Sequence, residues 1–231
     1  PAFGLAMLLH MGGLTALYVE TRHVPVHTPG ASLSSLALLV AIGLALVRRA
    51  PRMESLGLLF VPVVVVLLAL GQVLPNPYRP SMAIAGGYLW YPLHVSMTFA
   101  GLVGFTLSFG VSVFYLVVRW RLKHKRLGGL GRMPSLDGLD RLNVRLMVLG
   151  FCALTLGIAA GGVWAATKNA TDIDAIVFVT FAAWIWYALV LQVRVVAGWR
   201  GRLAAVASTL GFVAMASGMA AVNFAVLGWH G

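Results

Sequence analysis

Six histidines, His10, His23, His27, His94, His124 and His230, carry most of the coordination and proton chemistry this sequence offers. Imidazole titrates near neutrality and is the commonest protein metal ligand. The motifs of soluble enzymes are missing: there is no GxSxG, no phosphate-cradling loop, no HExxH and no carboxylate pair. Cys152 is the single cysteine and stands in an apolar run, which excludes an internal disulfide, a thiolate cluster and a CxxCH attachment site.

His94 follows Tyr88, Trp90 and Tyr91 at the start of one apolar run, and His230 follows Trp229 at the end of another. Two histidines at the ends of different helices can reach one metal from opposite sides. A haem iron can take such a pair, because the porphyrin fills four equatorial positions and leaves two axial ones. Trp90 and Trp229 are candidates for lining that site. The plainer reading is a belt of interfacial His, Trp and Tyr anchoring helix ends. His23 and His27 share one loop and suggest zinc or copper, without carboxylate or thiol support. His10 lies midway along an apolar run, where imidazole needs a partner. It is either a haem ligand within the membrane or, as read here, a hydrogen bond to a neighbouring helix.

The elements that must position these residues follow from composition. Of 231 residues, 60% are hydrophobic and 10% charged, more apolar surface than one soluble core can hide. Seven runs, about 2–19, 31–47, 55–74, 92–118, 144–167, 173–196 and 203–227, are long enough or nearly so to cross a bilayer. Backbone groups in lipid must bond within their own segment, and no run alternates as a barrel strand does, so each is expected to be helical. The expected fold is an all-α polytopic membrane helix bundle of about seven transmembrane helices, a single domain over residues 1–231. The chain begins at Pro1, and the first run lacks a small-residue cleavage site, so it is read as a helix following a missing start rather than a signal peptide.

Charge then gives orientation. Arg48, Arg49, Arg52, the run from Arg119 to Arg145, and Arg194, Arg200 and Arg202 make up 14 of the 17 basic residues, all on one side if the runs alternate. Only Arg22, Arg79 and Lys168 fall on the other. The positive-inside rule places the N-terminus in the cytoplasm and the C-terminus outside. The net charge of +11 is therefore a topology signal, and nucleic acid is not expected as a partner. Residues 119–143 form a basic cytoplasmic loop whose stretch 119–132, RWRLKHKRLGGLGR, suits anionic headgroups. A membrane or cytoplasmic protein docking there is the alternative, and His124 is expected to be solvated.

Three further features are read as structural. Gly157 and Gly161 form a small-xxx-small pair that lets helices approach closely. Gln192 needs its amide satisfied, and an interhelical hydrogen bond is expected. Asp172 and Asp174 sit in the short outer loop after the fifth run, where capping the next helix is the plain role.

Several strings together resemble the cytochrome c assembly family, the CcsA and HemX group of membrane proteins that move or hold haem. They are WYPLHVSM at 90–97, LDRLNVRLMVLGFCALTLGIAAGGVWA at 139–165, and WRG at 199–201 followed by a span ending VNFAVLGWHG. The resemblance covers roughly residues 85–231, with a looser match before. It implies haem ligation at the extracytoplasmic face by histidines that match His94 and His230. The sequence departs from the family pattern in two places. The family's tryptophan-rich loop, ending in an aspartate, is replaced by ATKNATDID, with Asp174 at the aspartate's place. A family histidine in the next span is replaced by Gln192, and an amide is a poor iron ligand.

Residues and resemblance together imply a haem-binding assembly factor rather than a catalyst, in the bacterial cytoplasmic (inner) membrane. It would hold one non-covalent haem b and hold or deliver it to an apocytochrome c. The alternatives are a cytochrome b-like electron-transfer subunit, which needs a second haem and has only His10 to offer, and a structural subunit that has lost haem binding.

Overall fold

The computed structural model describes residues 2–21, 25–26, 28–49, 53–74, 89–125, 133–167 and 174–228, with side chains described as far as 222. Among them the chain is helical throughout, without a strand, and seven helices are long and apolar enough to cross a membrane. It divides into two compact units, residues 1–85 and 86–231.

The first unit holds α1 (Ala2–Thr21), α2 (Pro29–Val47), a 3-10 turn (Glu54–Leu56) and α3 (Gly57–Val73). Thr28 starts α2: its hydroxyl accepts from the amide of Ala31 at 3.3 Å, and Pro29 fills the first turn, where a missing N–H costs nothing. Gly71 lets α3 cross α2 closely, since a Cβ there would fall 2.9 Å from the carbonyl oxygen of Gly30. His10 on α1 meets Ser34 on α2, with Nε2 2.8 Å from the hydroxyl oxygen. This is the interhelical bond expected of it.

The second unit is built on α4 (Trp90–Lys123) and α5 (Leu136–Thr167), joined by α6 (Ala175–Val196) and α7 (Arg202–Gly228). The antiparallel seam between α4 and α5 is made of small residues. A Cβ on Gly104 would lie 2.6 Å from the Cα of Gly150, and one on Gly101 would lie 2.9 Å from the Cβ of Leu154. Apolar side chains gain nothing by leaving lipid for each other, so helices in a bilayer associate through such backbone proximity and through polar bonds. Both occur here. Beyond the glycines, Ser108 donates to the Oδ1 of Asn143 at 2.5 Å and Ser112 to the same oxygen at 3.1 Å. The hydroxyl of Ser208 on α7 lies 2.9 Å from that of Ser108, whose proton is already committed, so Ser208 is the donor. Apolar packing continues across α6, where Tyr187 stacks on Phe105 with centroids 3.7 Å apart.

Both long helices outrun the apolar runs that announced them. α4 continues through Arg119 and Arg121 to Lys123, and α5 begins at Leu136. At that end Asp140 binds Arg194 of α6 and accepts the amide of Gly201, at 2.8 Å, from the α6–α7 turn. Gly201 has φ +62°, a left-handed conformation suited to glycine, and a Cβ there would stand 2.6 Å from the Tyr115 hydroxyl.

Candidate functional site

At the opposite end of the second unit, the start of α4 lies beside the end of α5. Trp90 is the first residue of α4 and is 38% exposed. One turn later His94 turns its ring onto α5, with Nδ1 2.7 Å from the carbonyl oxygen of Gly157. A carbonyl oxygen only accepts, so Nδ1 carries the proton and donates. The neutral ring then has its lone pair on Nε2, the nitrogen away from the contact. Metal-bound histidines are commonly held this way, with the second nitrogen donating to a backbone carbonyl.

Room for the ring comes from missing side chains. A Cβ on Gly161 would lie 2.5 Å from the Nδ1 of His94, and one on Gly157 would lie 2.7 Å from the Oγ1 of Thr98. That Thr98 hydroxyl, one turn below His94, is buried and has no hydrogen-bond partner among the described residues. Tyr91 packs against Trp164 of α5, centroids 5.0 Å apart and planes at 49°. The cluster therefore leaves one imidazole nitrogen open to a ligand, where the start of α4 and the end of α5 also carry the Tyr91–Trp164 contact.

The other expected residues are distributed as follows. His230 and Trp229 lie outside the described residues, as do His23 and His27. The topology does carry α7 toward this end of the unit, since α7 runs antiparallel to α6 and Gly218 sits by Val179 near the start of α6. His10 is engaged with Ser34. Asp174 is exposed at the position before α6, in extended conformation, and its carboxylate makes no capping bond. His124 is exposed at the end of α4, its Nδ1 2.9 Å from the Trp120 carbonyl oxygen. Gln192 differs from expectation: it is exposed, with no side-chain hydrogen bond among the described residues. Near a helix end, an amide can find water or headgroup partners more cheaply than a second helix. No group of three or more His, Cys, Asp or Glu converges among the described residues.

Spacing alone did not connect Gly157 and Gly161 with His94. The small-xxx-small pair reads as helix packing, and the structure adds that it seats an imidazole. Tyr91 and Trp164 escaped notice as a pair because they stand 73 residues apart on different helices.

Comparison with known proteins agrees with this architecture. The family model described as cytochrome C assembly protein matches residues 3–230. The cytochrome c biogenesis protein CcsA of Gloeobacter violaceus is 26% identical over an alignment covering 99% of this chain and 84% of that protein. A protein of the same name from Prochlorococcus marinus is 32% identical over 60% of this chain and 42% of its own length. Another from Trieres chinensis is 37% identical over 44% and 33%. Apart from the Gloeobacter alignment, then, these matches span less than half of the relatives' lengths. No solved structure matches. With a helix set able to span a membrane and a family match over nearly its whole length, this chain belongs to the cytochrome c assembly protein family.

Proposed function

We propose that this chain binds haem b non-covalently at the outer membrane face and holds or delivers it for cytochrome c assembly. His94, through Nε2, and His230 would hold the haem iron. The observation that carries the reading is the bond from His94 Nδ1 to the Gly157 carbonyl, which leaves Nε2 as the free lone pair at a helix end. Trp90 precedes His94 by four residues and Trp229 immediately precedes His230, so each indole could help cover a porphyrin face. Haem, when bound, would supply an iron that imidazole nitrogens can ligate. The chain's own contribution would be to orient the imidazole and to offer aromatic side chains near it. The clustering of basic residues supports an orientation with His94 outside and Arg119–Arg145 in the cytoplasm. Apocytochrome c is the partner this reading requires at the outer face, with anionic lipid or a cytoplasmic protein at residues 119–132.

The test is an absorption spectrum of the detergent-purified protein, oxidised and reduced, beside His94→Ala and His230→Ala. A low-spin b-type spectrum lost in each variant is the expected result. A spectrum surviving both changes, or no haem even after added haemin, would overturn the proposal.

A further inference from the structure

We infer that Gly157 and Gly161 are positioning residues for His94: together they fix which ring nitrogen faces the ligand. Gly157 does this through its carbonyl, which the ring can approach only because helix α5 carries no side chain where the ring lies. In a helix the Gly157 carbonyl already accepts the amide of Gly161, so His94 takes its second lone pair and the two acceptor sites are filled. Gly161 does it by lacking a Cβ. A methyl built there would meet Nδ1 at 2.5 Å, Cε1 at 2.8 Å and Cγ at 3.3 Å, all along the edge that makes the hydrogen bond.

The ring cannot keep that bond and clear a methyl group. One turn away the two helices are packed closely, the backbone nitrogen of Thr98 lying 2.9 Å from where a Cβ on Gly157 would be, so separating them would forfeit that contact. The soft response to Gly161→Ala is therefore rotation of the imidazole about χ1, which breaks the contact with Gly157 and frees the tautomer. Gly150 provides the contrast. It lies in the same seam, where an added methyl would meet Phe105 and the Gly101 carbonyl, both at 3.1 Å, and not His94. Substitution there loosens the helix pair without touching the imidazole.

The consequence for a bound metal rests on the haem reading above; the consequence for the ring does not. The experiment therefore has two arms. In the haem-free full chain in detergent, nitrogen NMR of 15N-histidine-labelled protein reads the tautomer, with His94 assigned by the signals lost in His94→Gln. We expect Nδ1 protonated and Nε2 bare in the wild type and in Gly150→Ala, and a shift toward the mixed tautomers of solvated histidine in Gly161→Ala. A wild-type His94 protonated on Nε2, or a Gly161→Ala protein with unchanged signals, would overturn the inference. In the second arm haemin is titrated into the same proteins. Gly161→Ala should bind about 10–100-fold more weakly than wild type, the usual loss when a ligand's orienting partner is removed. Should the wild type bind no haem, the functional reading fails while the tautomer arm still decides this one. Haem binding that needs His94 but is indifferent to Gly161→Ala sinks this inference alone.

Discussion

Asp140 and Arg194 face each other as a two-pronged pair, Nη1 to Oδ1 at 3.2 Å and Nη2 to Oδ2 at 2.6 Å, their side chains only 11% and 13% exposed. The same carboxylate accepts the Gly201 amide, so one acidic group ties α5, α6 and the turn into α7. Breaking such a shielded pair from one side leaves a charge without its partner, at a cost of about 3–5 kcal/mol. Arg194→Ala should therefore lower the unfolding midpoint in detergent sharply. The double variant Asp140→Ala/Arg194→Ala should lose less than the sum of the single changes. Arg141→Ala, which breaks the exposed pair with Asp137, should have no measurable effect.

Asn143 holds the middle of the α4–α5 seam as acceptor for two serines, and its side chain is almost fully buried. In Asn143→Ala two hydroxyl donors lose their acceptor within the seam. A loss of about 1–3 kcal/mol is expected, read by denaturant titration in a fixed detergent. Ser112→Ala removes only the longer of the two bonds and should fall at or below the lower end of that range.

His10 is engaged with Ser34, so its removal should matter to helix association and not to cofactor. His10→Ala is expected to cost about 0.6 kcal/mol, typical of a polar contact between membrane helices. It should leave any haem spectrum as in the wild type. A b-type spectrum lost in His10→Ala and retained in His94→Ala would reverse the assignment.

Orientation can be read chemically. In a Cys152→Ser background, Lys125→Cys should react with a membrane-impermeant maleimide only after cells are opened, whereas Asp174→Cys should react in intact cells. The opposite pattern would turn the protein over and place His94 on the cytoplasmic face.

The spans were legible because a membrane helix needs a long apolar run, and that signal survives without any knowledge of contacts. What hydropathy could not show was where the helices stop. Arg119, Arg121 and Lys123 are adequate helix formers, so α4 continues past its apolar part, and Asp140 and Asn143 belong to α5 despite their polarity. His94 was legible as a candidate because it begins a span beside aromatic residues. Its orientation was not, since the carbonyl that fixes it belongs to a glycine 63 residues away. Gln192 misled for a related reason: a polar residue inside an apolar run signals a need for a partner, but not whether protein or solvent meets it. The second expected axial residue, His230, and its neighbour Trp229 lie outside the described residues.

The glycine seam has a mechanical meaning. At Gly101, Gly104, Gly150 and Gly157 the backbones of α4 and α5 come close to each other and to Leu154, Phe105 and Thr98. With Leu154 and Phe105 already against the opposing glycines, rolling or sliding of one helix on the other is resisted. His94 near one end and Asp140 near the other are thus mounted on a common splint. The close α4–α5 contact links the end that carries the histidine to the end that carries the Asp140 clamp.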